Sequence, residues 1–351
     1  MGDKETLIKV IFMKHLIHYY AGIIRKLTFA RVLNYLKLRF GYHVSLLTGK
    51  PRQYGMPVSM SIEPTTSCNL RCPQCPSGLR EFSRPTGMLH PVMFEKIIGQ
   101  VHKQLHSLTF YFQGEPYLNP DFLDMVAFAN ARNIYTMTST NGHFLNKENS
   151  RRTVQSGLDK IIISIDGISD ETYKEYRVGG NLEKVLSGTR EILRQKEQLK
   201  SNTPHVVWQF IVFSHNEHEI GSVKKLAREI GVDEIKIKTA QIYNTDNGGD
   251  LIPTGEKYSR YDVSGKSLKI KNDLRNECWR MWQGCVVTWD GKVVPCCFDK
   301  DAHYKVGDLS SGNFREIWHS PSYNNFRQSV LKGRKDIDIC KNCSEGSRVW
   351  S

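Results

Sequence analysis

The 351 residues are 39% apolar and 24% charged, enough to bury one large core or one core with a small appendage. The net charge is +13, but +8 of it falls within residues 1–52, where Lys4, Lys9, Lys14, Arg25, Lys26, Arg31, Lys37, Arg39, Lys50 and Arg52 face only Asp3 and Glu5. The weak surplus left for the rest of the chain excludes the broad basic field that a nucleic-acid partner needs.

Residues 1–56 read as a basic helical leader. Phe29, Val32, Leu33, Leu36 and Phe40 form an apolar stripe at helical spacing, opposite Arg31, Asn34 and Lys37. One reading makes this helix a cap on the bottom of the barrel that follows. The other lays residues 1–52 on an anionic membrane as a peripheral contact. The uncharged run from His15 to Ile24 is too short to span a bilayer. No small-residue cleavage site follows it, so no signal peptide is expected.

From residue 57 to 240, β-type runs alternate with amphipathic helical runs. Strands are predicted at Val58–Ile62, Leu108–Phe112, Ile134–Thr138, Lys160–Ile165, Val206–Phe213 and Glu234–Lys238. Helices are predicted at Met93–Leu105, Asp121–Arg132, Lys147–Ser156, Leu182–Leu199 and Glu217–Ile230. Six such units imply an α/β fold with a parallel sheet and right-handed crossovers. A complete eight-unit barrel needs ~250 residues, so the expectation is a partial (β/α)6 TIM-like barrel.

Chemistry-bearing groups follow four consecutive strands, where such barrels gather their sites. Cys68, Cys72 and Cys75, spaced Cys-x3-Cys-x2-Cys, follow the first. Gln113-Gly114-Glu115-Pro116 follows the second, Ser139-Thr140-Asn141-Gly142 the third, and Ser164 with Asp166-Gly167 closes the fourth. Three thiolates at this spacing suit three irons of a [4Fe-4S] cluster and leave the fourth iron open. Structural zinc wants four ligands, and no fourth cysteine or nearby histidine fits before His90.

These motifs together resemble the radical S-adenosylmethionine (SAM) enzymes over roughly residues 57–240. The resemblance implies a [4Fe-4S] cluster on Cys68, Cys72 and Cys75 as the catalytic group, with S-adenosyl-L-methionine chelating the open iron. It implies further that Gly114 admits the ligand, that the Glu115 region accepts from the SAM ammonium, and that Asn141, Ser164 and Asp166 bond the ribose. Arg177 would hold the SAM carboxylate. The bland alternatives are a strand-end acid for Glu115, a turn residue for Asp166 and a surface ion pair for Arg177. The position before the third cysteine, usually aromatic in the family, is Gln74 here, so Leu70 or Ile237 is the expected adenine contact.

Residues 241–275 are turn-rich and read as a linker or loop over the barrel mouth. Residues 276–351 hold Cys278, Cys285, Cys296, Cys297, Cys340 and Cys343. With the trio these make nine cysteines, an odd number whose grouping points to metal ligation in a reducing cytoplasm and not to a disulfide framework. Trp289–Pro295 reads as a hairpin turning at Asp290-Gly291, which brings Cys278 near Cys296. The segment is similar to the SPASM/twitch extension of radical SAM enzymes, a small α+β cluster-binding domain. Six thiols fall short of two fully ligated clusters, and adjacent strand residues face opposite ways. The expectation is therefore one auxiliary [4Fe-4S] cluster on Cys278, Cys296, Cys340 and Cys343, with structural zinc as the alternative. Cys285 and Cys297 remain core thiols or alternative ligands. Asp299, Asp301 and His303 are acid–base candidates or a solvated turn.

The implied function is a radical SAM oxidoreductase or modifying enzyme that abstracts hydrogen from its substrate. The auxiliary cluster would accept an electron, and an external donor such as flavodoxin or ferredoxin would supply the first one. A carbohydrate-like small molecule and a peptide are both open as substrates. A non-catalytic iron–sulfur or zinc scaffold is the rival from another class. The expected location is cytoplasmic, with membrane association through the leader as the alternative.

Overall fold

The computed structural model describes residues 21–243, 249–262, 268–271 and 274–345. Lys4, Lys9, Lys14, most of the His15–Ile24 run and residues 244–248 of the turn-rich stretch lie outside the described residues.

All six predicted strands form: β1 (Ser59–Ile62), β2 (Ser107–Phe110), β3 (Tyr135–Thr140), β4 (Lys160–Ser164), β5 (His205–Val212) and β6 (Glu234–Thr239). They pair in chain order and in parallel. The five predicted helices form between them, at Pro91–Val101, Phe122–Asn130, Lys147–Gln155, Leu182–Gln198 and Ile220–Ile230. Pro91 opens the first of these, where its missing N–H costs nothing. Asn146 and Asn181 cap the third and fourth by accepting from the backbone three residues on. Apolar helix faces cover the sheet, and Ile161, Ile163, Val206, Trp208 and Phe210 are fully buried in the resulting core.

The C-terminal segment does not stand apart from this sheet. After a small hairpin of β7 (Tyr261–Asp262) and β8 (Lys269–Ile270), β9 (Gly284–Val287) joins the free edge of β1 in parallel, with Ser59 opposite Gly284 and Ile62 opposite Val287. A Cβ on Gly284 would lie 2.3 Å from the Ser59 carbonyl oxygen, so only glycine lets the strands approach there. The predicted hairpin follows, with β10 (Lys292–Val294) antiparallel to β9 and Gly291 at φ 84° in its turn. A last strand, β11 (Gly307–Asp308), completes nine.

The leader helix, Phe29–Thr48, lies under the N-terminal ends of the parallel strands. Its buried residues are Arg31, Asn34, Leu38, Gly41, Tyr42 and Ser45, the face opposite the predicted stripe. Arg31 donates to the carbonyls of Lys26, His102, Arg132 and Asn133. Asn34 brackets Met56, donating to its carbonyl at 2.7 Å and accepting from its N–H at 2.8 Å. Tyr42 packs edge-on against Trp279 and Trp282. The helix caps the barrel with its more polar face: buried backbone carbonyls demand donors, and that side of the helix supplies them.

Candidate active site

The three cysteines sit on the loop after β1, and the loop is held from behind. Glu63, fully buried at the end of β1, takes a two-pronged ion pair from Arg84 at 2.6 and 2.8 Å. Thr66 donates to the Gly87 carbonyl and Leu89 to that of Pro64. The loop then turns tightly into a short helix, Pro76–Leu79, where a Cβ on Gly78 would stand 2.6 Å from the Cys72 nitrogen. Cys68, Cys72 and Cys75 line one cavity of about 390 Å³, and among the described lining residues there is no fourth cysteine and no histidine.

The predicted motifs after β2 and β3 are stitched to that loop. Gly114, at φ 73°, lets the chain pass where a Cβ would be 2.2 Å from the Thr65 carbonyl oxygen, and its N–H donates to Ser77 Oγ. The Glu115 N–H donates to the Ser67 carbonyl. Its carboxylate is engaged within the protein, accepting from Thr140 Oγ1 at 2.7 Å and Asn141 N–H at 2.8 Å. Burial pushes that carboxyl up to about 7. Asn141 and Ser164 line the cavity, and Asn141 Nδ2 stands 4.0 Å from Cys68 Sγ while donating to Asn69 Oδ1.

Asp166 and Arg177 act as a pair. Asp166 is fully buried and does not line the cavity; its Oδ1 accepts from Ile211 N–H and its Oδ2 from Arg177 Nε at 2.6 Å. The ribose role read for Asp166 is therefore replaced by that of a counter-ion fixing Arg177. Arg177 does line the cavity and lays Nη1 3.9 Å from Cys72 Sγ. It is neither a surface ion pair nor a free fork.

Several cavity residues left no local signal in the sequence. Tyr243, Gln241, Lys238 and Arg260 come from β6 and the stretch after it, and Lys300 from the C-terminal segment. Gln74 earns its place by accepting from the Tyr243 N–H at 2.8 Å, which sets the Tyr243 ring against Lys300 Nζ, 4.0 Å from the centroid. Leu70 is on the cavity wall as expected, whereas Ile237 packs into the main core instead. Asp299, Asp301 and His303 do not line it. Asp299 caps its own turn by accepting from His303 and Tyr304, and Asp301 accepts from the Ser83 N–H.

A second group of thiols lies beside Tyr42 and Trp282. Cys278, Cys296 and Cys340 share one apolar cluster, and Arg334, buried beside it, donates to Cys343 Sγ at 3.3 Å. Cys285 is elsewhere, on β9 in the main core. Cys296 and Cys297 lie past the end of β10, not on a strand. Strand alternation, used above to set Cys297 aside, does not apply there.

Burial pushes the Cys68 and Cys278 thiols up to about 12 and raises Cys72 and Cys343. Buried thiols of this kind become thiolates when a metal centre takes the place of their protons. Arg177 and Arg334 put positive charge beside each set, and no set among the described residues forms a group that could hold a single metal ion. Soft sulfur donors, adjacent cations and a cavity on the open side fit an iron–sulfur cluster better than one zinc.

Comparison with known proteins agrees with this chemistry. Residues 62–231 match the radical SAM superfamily, and residues 278–344 match SPASM, an iron–sulfur cluster-binding domain. The chain is 25% identical over 299 residues to the tungsten-containing aldehyde ferredoxin oxidoreductase cofactor-modifying protein of Pyrococcus furiosus, covering 76% of this chain and 82% of that one. It is 26% identical over 320 residues to the PqqA peptide cyclase of Gluconobacter oxydans, covering 84% of each. Among solved structures, BtrN in complex with AdoMet and 2-DOIA superposes with a TM-score of 0.51 at 18% identity, over 83% of this chain and 94% of BtrN. The anSMEcpe enzyme with bound AdoMet and a Cp18Cys peptide gives 0.58 at 18% identity, over 84% and 93%. These two likenesses establish the shared fold. Radical SAM domains bind a [4Fe-4S] cluster and SAM, and SPASM domains bind auxiliary iron–sulfur clusters.

Proposed function

From a chain that is a radical SAM protein with a C-terminal SPASM domain, we propose an enzyme that cleaves SAM reductively and takes a hydrogen atom from a small polar substrate. The observation that carries this is the convergence of Cys68, Cys72 and Cys75 on one cavity whose described lining holds no fourth cysteine and no histidine. When bound there, a reduced [4Fe-4S] cluster with SAM on its open iron supplies the 5′-deoxyadenosyl radical.

The chain's own residues position and insulate. Cys68, Cys72 and Cys75 would hold the cluster, and Arg177, fixed by Asp166, would offset thiolate charge through Nη1 near Cys72. Glu115 latches the third loop to the second; with SAM bound, the backbone carbonyls around Gly114 would accept from its ammonium, and Asn141 and Ser164 would bond its ribose. Tyr243, Tyr176 and Phe213 provide the aromatic wall that Gln74 does not.

Lys238, Arg260 and Lys300 line the same cavity, whose one carboxylate among the described lining residues is the latched Glu115. This charge balance favours a substrate carrying an acidic group, such as a sugar acid or a phosphorylated alcohol. Loss of a hydrogen atom, then of a proton and an electron, leaves such a substrate oxidised by two electrons. The second electron would leave toward a cluster on Cys278, Cys296, Cys340 and Cys343, whose loop is tied to the cavity wall. A peptide substrate is the second reading, supported by the peptide named for two of the similar proteins.

The test is anaerobic reconstitution with iron and sulfide, then dithionite and SAM. Release of 5′-deoxyadenosine is expected, abolished by Cys72→Ala and retained by Cys285→Ala. A reconstituted wild type that binds iron but releases no 5′-deoxyadenosine is a scaffold, not this enzyme.

A further inference from the structure

The leader helix carries an outward apolar face that the described residues leave bare. Phe29 is 85% exposed, Leu36 56%, Phe40 64% and Leu47 87%, with Val32 and Leu33 also exposed. At ~100° per residue these side chains share one stripe, centred opposite the Arg31–Asn34–Leu38–Ser45 face that docks under the barrel. The inverted burial removes the ordinary explanation for an amphipathic helix, since its apolar side covers no core among the described residues. Single exposed leucines are unremarkable, but a contiguous stripe of this length marks a contact surface.

Its own stretch of chain is of one charge. No aspartate or glutamate occurs from Thr6 to Ile62. Lys37 and Arg39 flank the stripe, about 80° to either side of its centre, and Arg25, Lys50 and Arg52 are exposed around its ends. Tyr54 stacks on Phe40 with ring centroids 5.8 Å apart and is itself half exposed, as suits an aromatic ring at a membrane–water boundary. A hydrophobic strip edged by cations and free of carboxylates is complementary to an anionic phospholipid surface.

We propose that the face formed by Phe29, Val32, Leu33, Leu36, Phe40 and Leu47 seats the enzyme on an anionic membrane, with the helix axis in the plane of the interface. Among the described residues no helix is long and apolar enough to cross a membrane, so the attachment is peripheral. The helix meets the barrel through residues that precede the strands: His102, Asn133, Met56 and Trp282. The catalytic cavity opens at the other ends of those strands. The seated enzyme therefore turns its cavity away from the lipid and takes its substrate from solution.

The experiment is flotation of the full reconstituted chain with phosphatidylcholine vesicles, with and without phosphatidylglycerol. Binding is expected only with phosphatidylglycerol and should weaken with added salt. The Leu36→Glu/Phe40→Glu double variant and the Lys37→Glu/Lys50→Glu double variant, all at exposed positions, should each reduce binding at least about tenfold. Because these side chains are exposed, iron content and melting temperature should stay at wild-type values. Wild-type protein that ignores anionic vesicles, or binding unaffected by Leu36→Glu/Phe40→Glu, overturns the proposal. So does a wild-type dimer that the same variant dissociates, which makes a second copy the occupant. Vesicle binding that appears only after deletion of residues 1–20 also overturns it, making that segment the cover. All readouts are independent of SAM cleavage, so failure here leaves the proposed reaction untouched.

Discussion

Asn342, between Cys340 and Cys343, is hydrogen-bonded to Tyr261: its Oδ1 accepts from the tyrosine hydroxyl at 2.7 Å. The same amide donates to the Ile242 carbonyl at 2.6 Å, and Ile242 N–H donates to the Tyr261 hydroxyl at 2.9 Å. Ile242 lies between Gln241 and Tyr243, two cavity-lining residues. The C-terminal thiols and the cavity wall are thus joined through one asparagine.

Tyr261→Phe leaves the Asn342 oxygen and the Ile242 N–H short of a partner in a buried site. A loss of about 1–3 kcal/mol is expected, read from denaturant unfolding of the reconstituted protein. If the link positions an electron exit, product formation should fall further than 5′-deoxyadenosine release. Equal falls in both would mean a purely structural tie.

Arg177→Gln leaves Asp166, fully buried, without its cation. Breaking one side of such a pair costs about 3–5 kcal/mol, and SAM binding should weaken with it. A stability change under about 1 kcal/mol would show that water already reaches Asp166.

Asn34→Leu and Leu36→Glu separate the two faces of the leader. The first orphans both backbone groups of Met56 and should cost about 2–4 kcal/mol. The second, on the exposed stripe, should change stability by less than about 0.5 kcal/mol. Thermal melting of both variants is sufficient, and the reverse order would mean that the helix packs by its apolar side.

Lys160 is buried at the start of β4. Burial, followed by repulsion from Lys236, lowers it to about 8, although Glu234 partly offsets the effect. The folded chain gives up this proton more readily than the unfolded chain, whose lysine titrates near 10.5. Between those values the unfolded state binds more protons, so this group's contribution to stability rises with pH from about 8 to 10.5. Lys160→Met should remove that rise and stabilise the protein at neutral pH, as a pH series of melting temperatures will show. An unchanged pH slope in the variant would contradict the assignment.

Cys278→Ala should lower the iron of the reconstituted protein from about eight atoms per chain to about four, with the cluster on Cys68, Cys72 and Cys75 intact by EPR. Cys297→Ala should leave the iron count unchanged, and a drop to about four atoms would place Cys297 among the ligands.

The sequence by itself determined the six parallel strands with five helices between them, the thiol trio after the first strand and the hairpin at Asp290-Gly291, because each is written in local spacing. Alternation of apolar residues and the positions of Gly and Pro fix strands and turns without reference to distant chain. It could also mark the two faces of Phe29–Thr48. Only the tertiary structure decided which face is buried, because that depends on four unsatisfied carbonyls more than 70 residues away or across a turn, and Arg31 is what they require. The same holds for β9 closing on β1, for Asp166 serving Arg177, and for Gln74 seating Tyr243. Each of these pairings is set by the hydrogen-bonding needs of groups that meet only when the chain is folded, and no periodicity along the sequence encodes them.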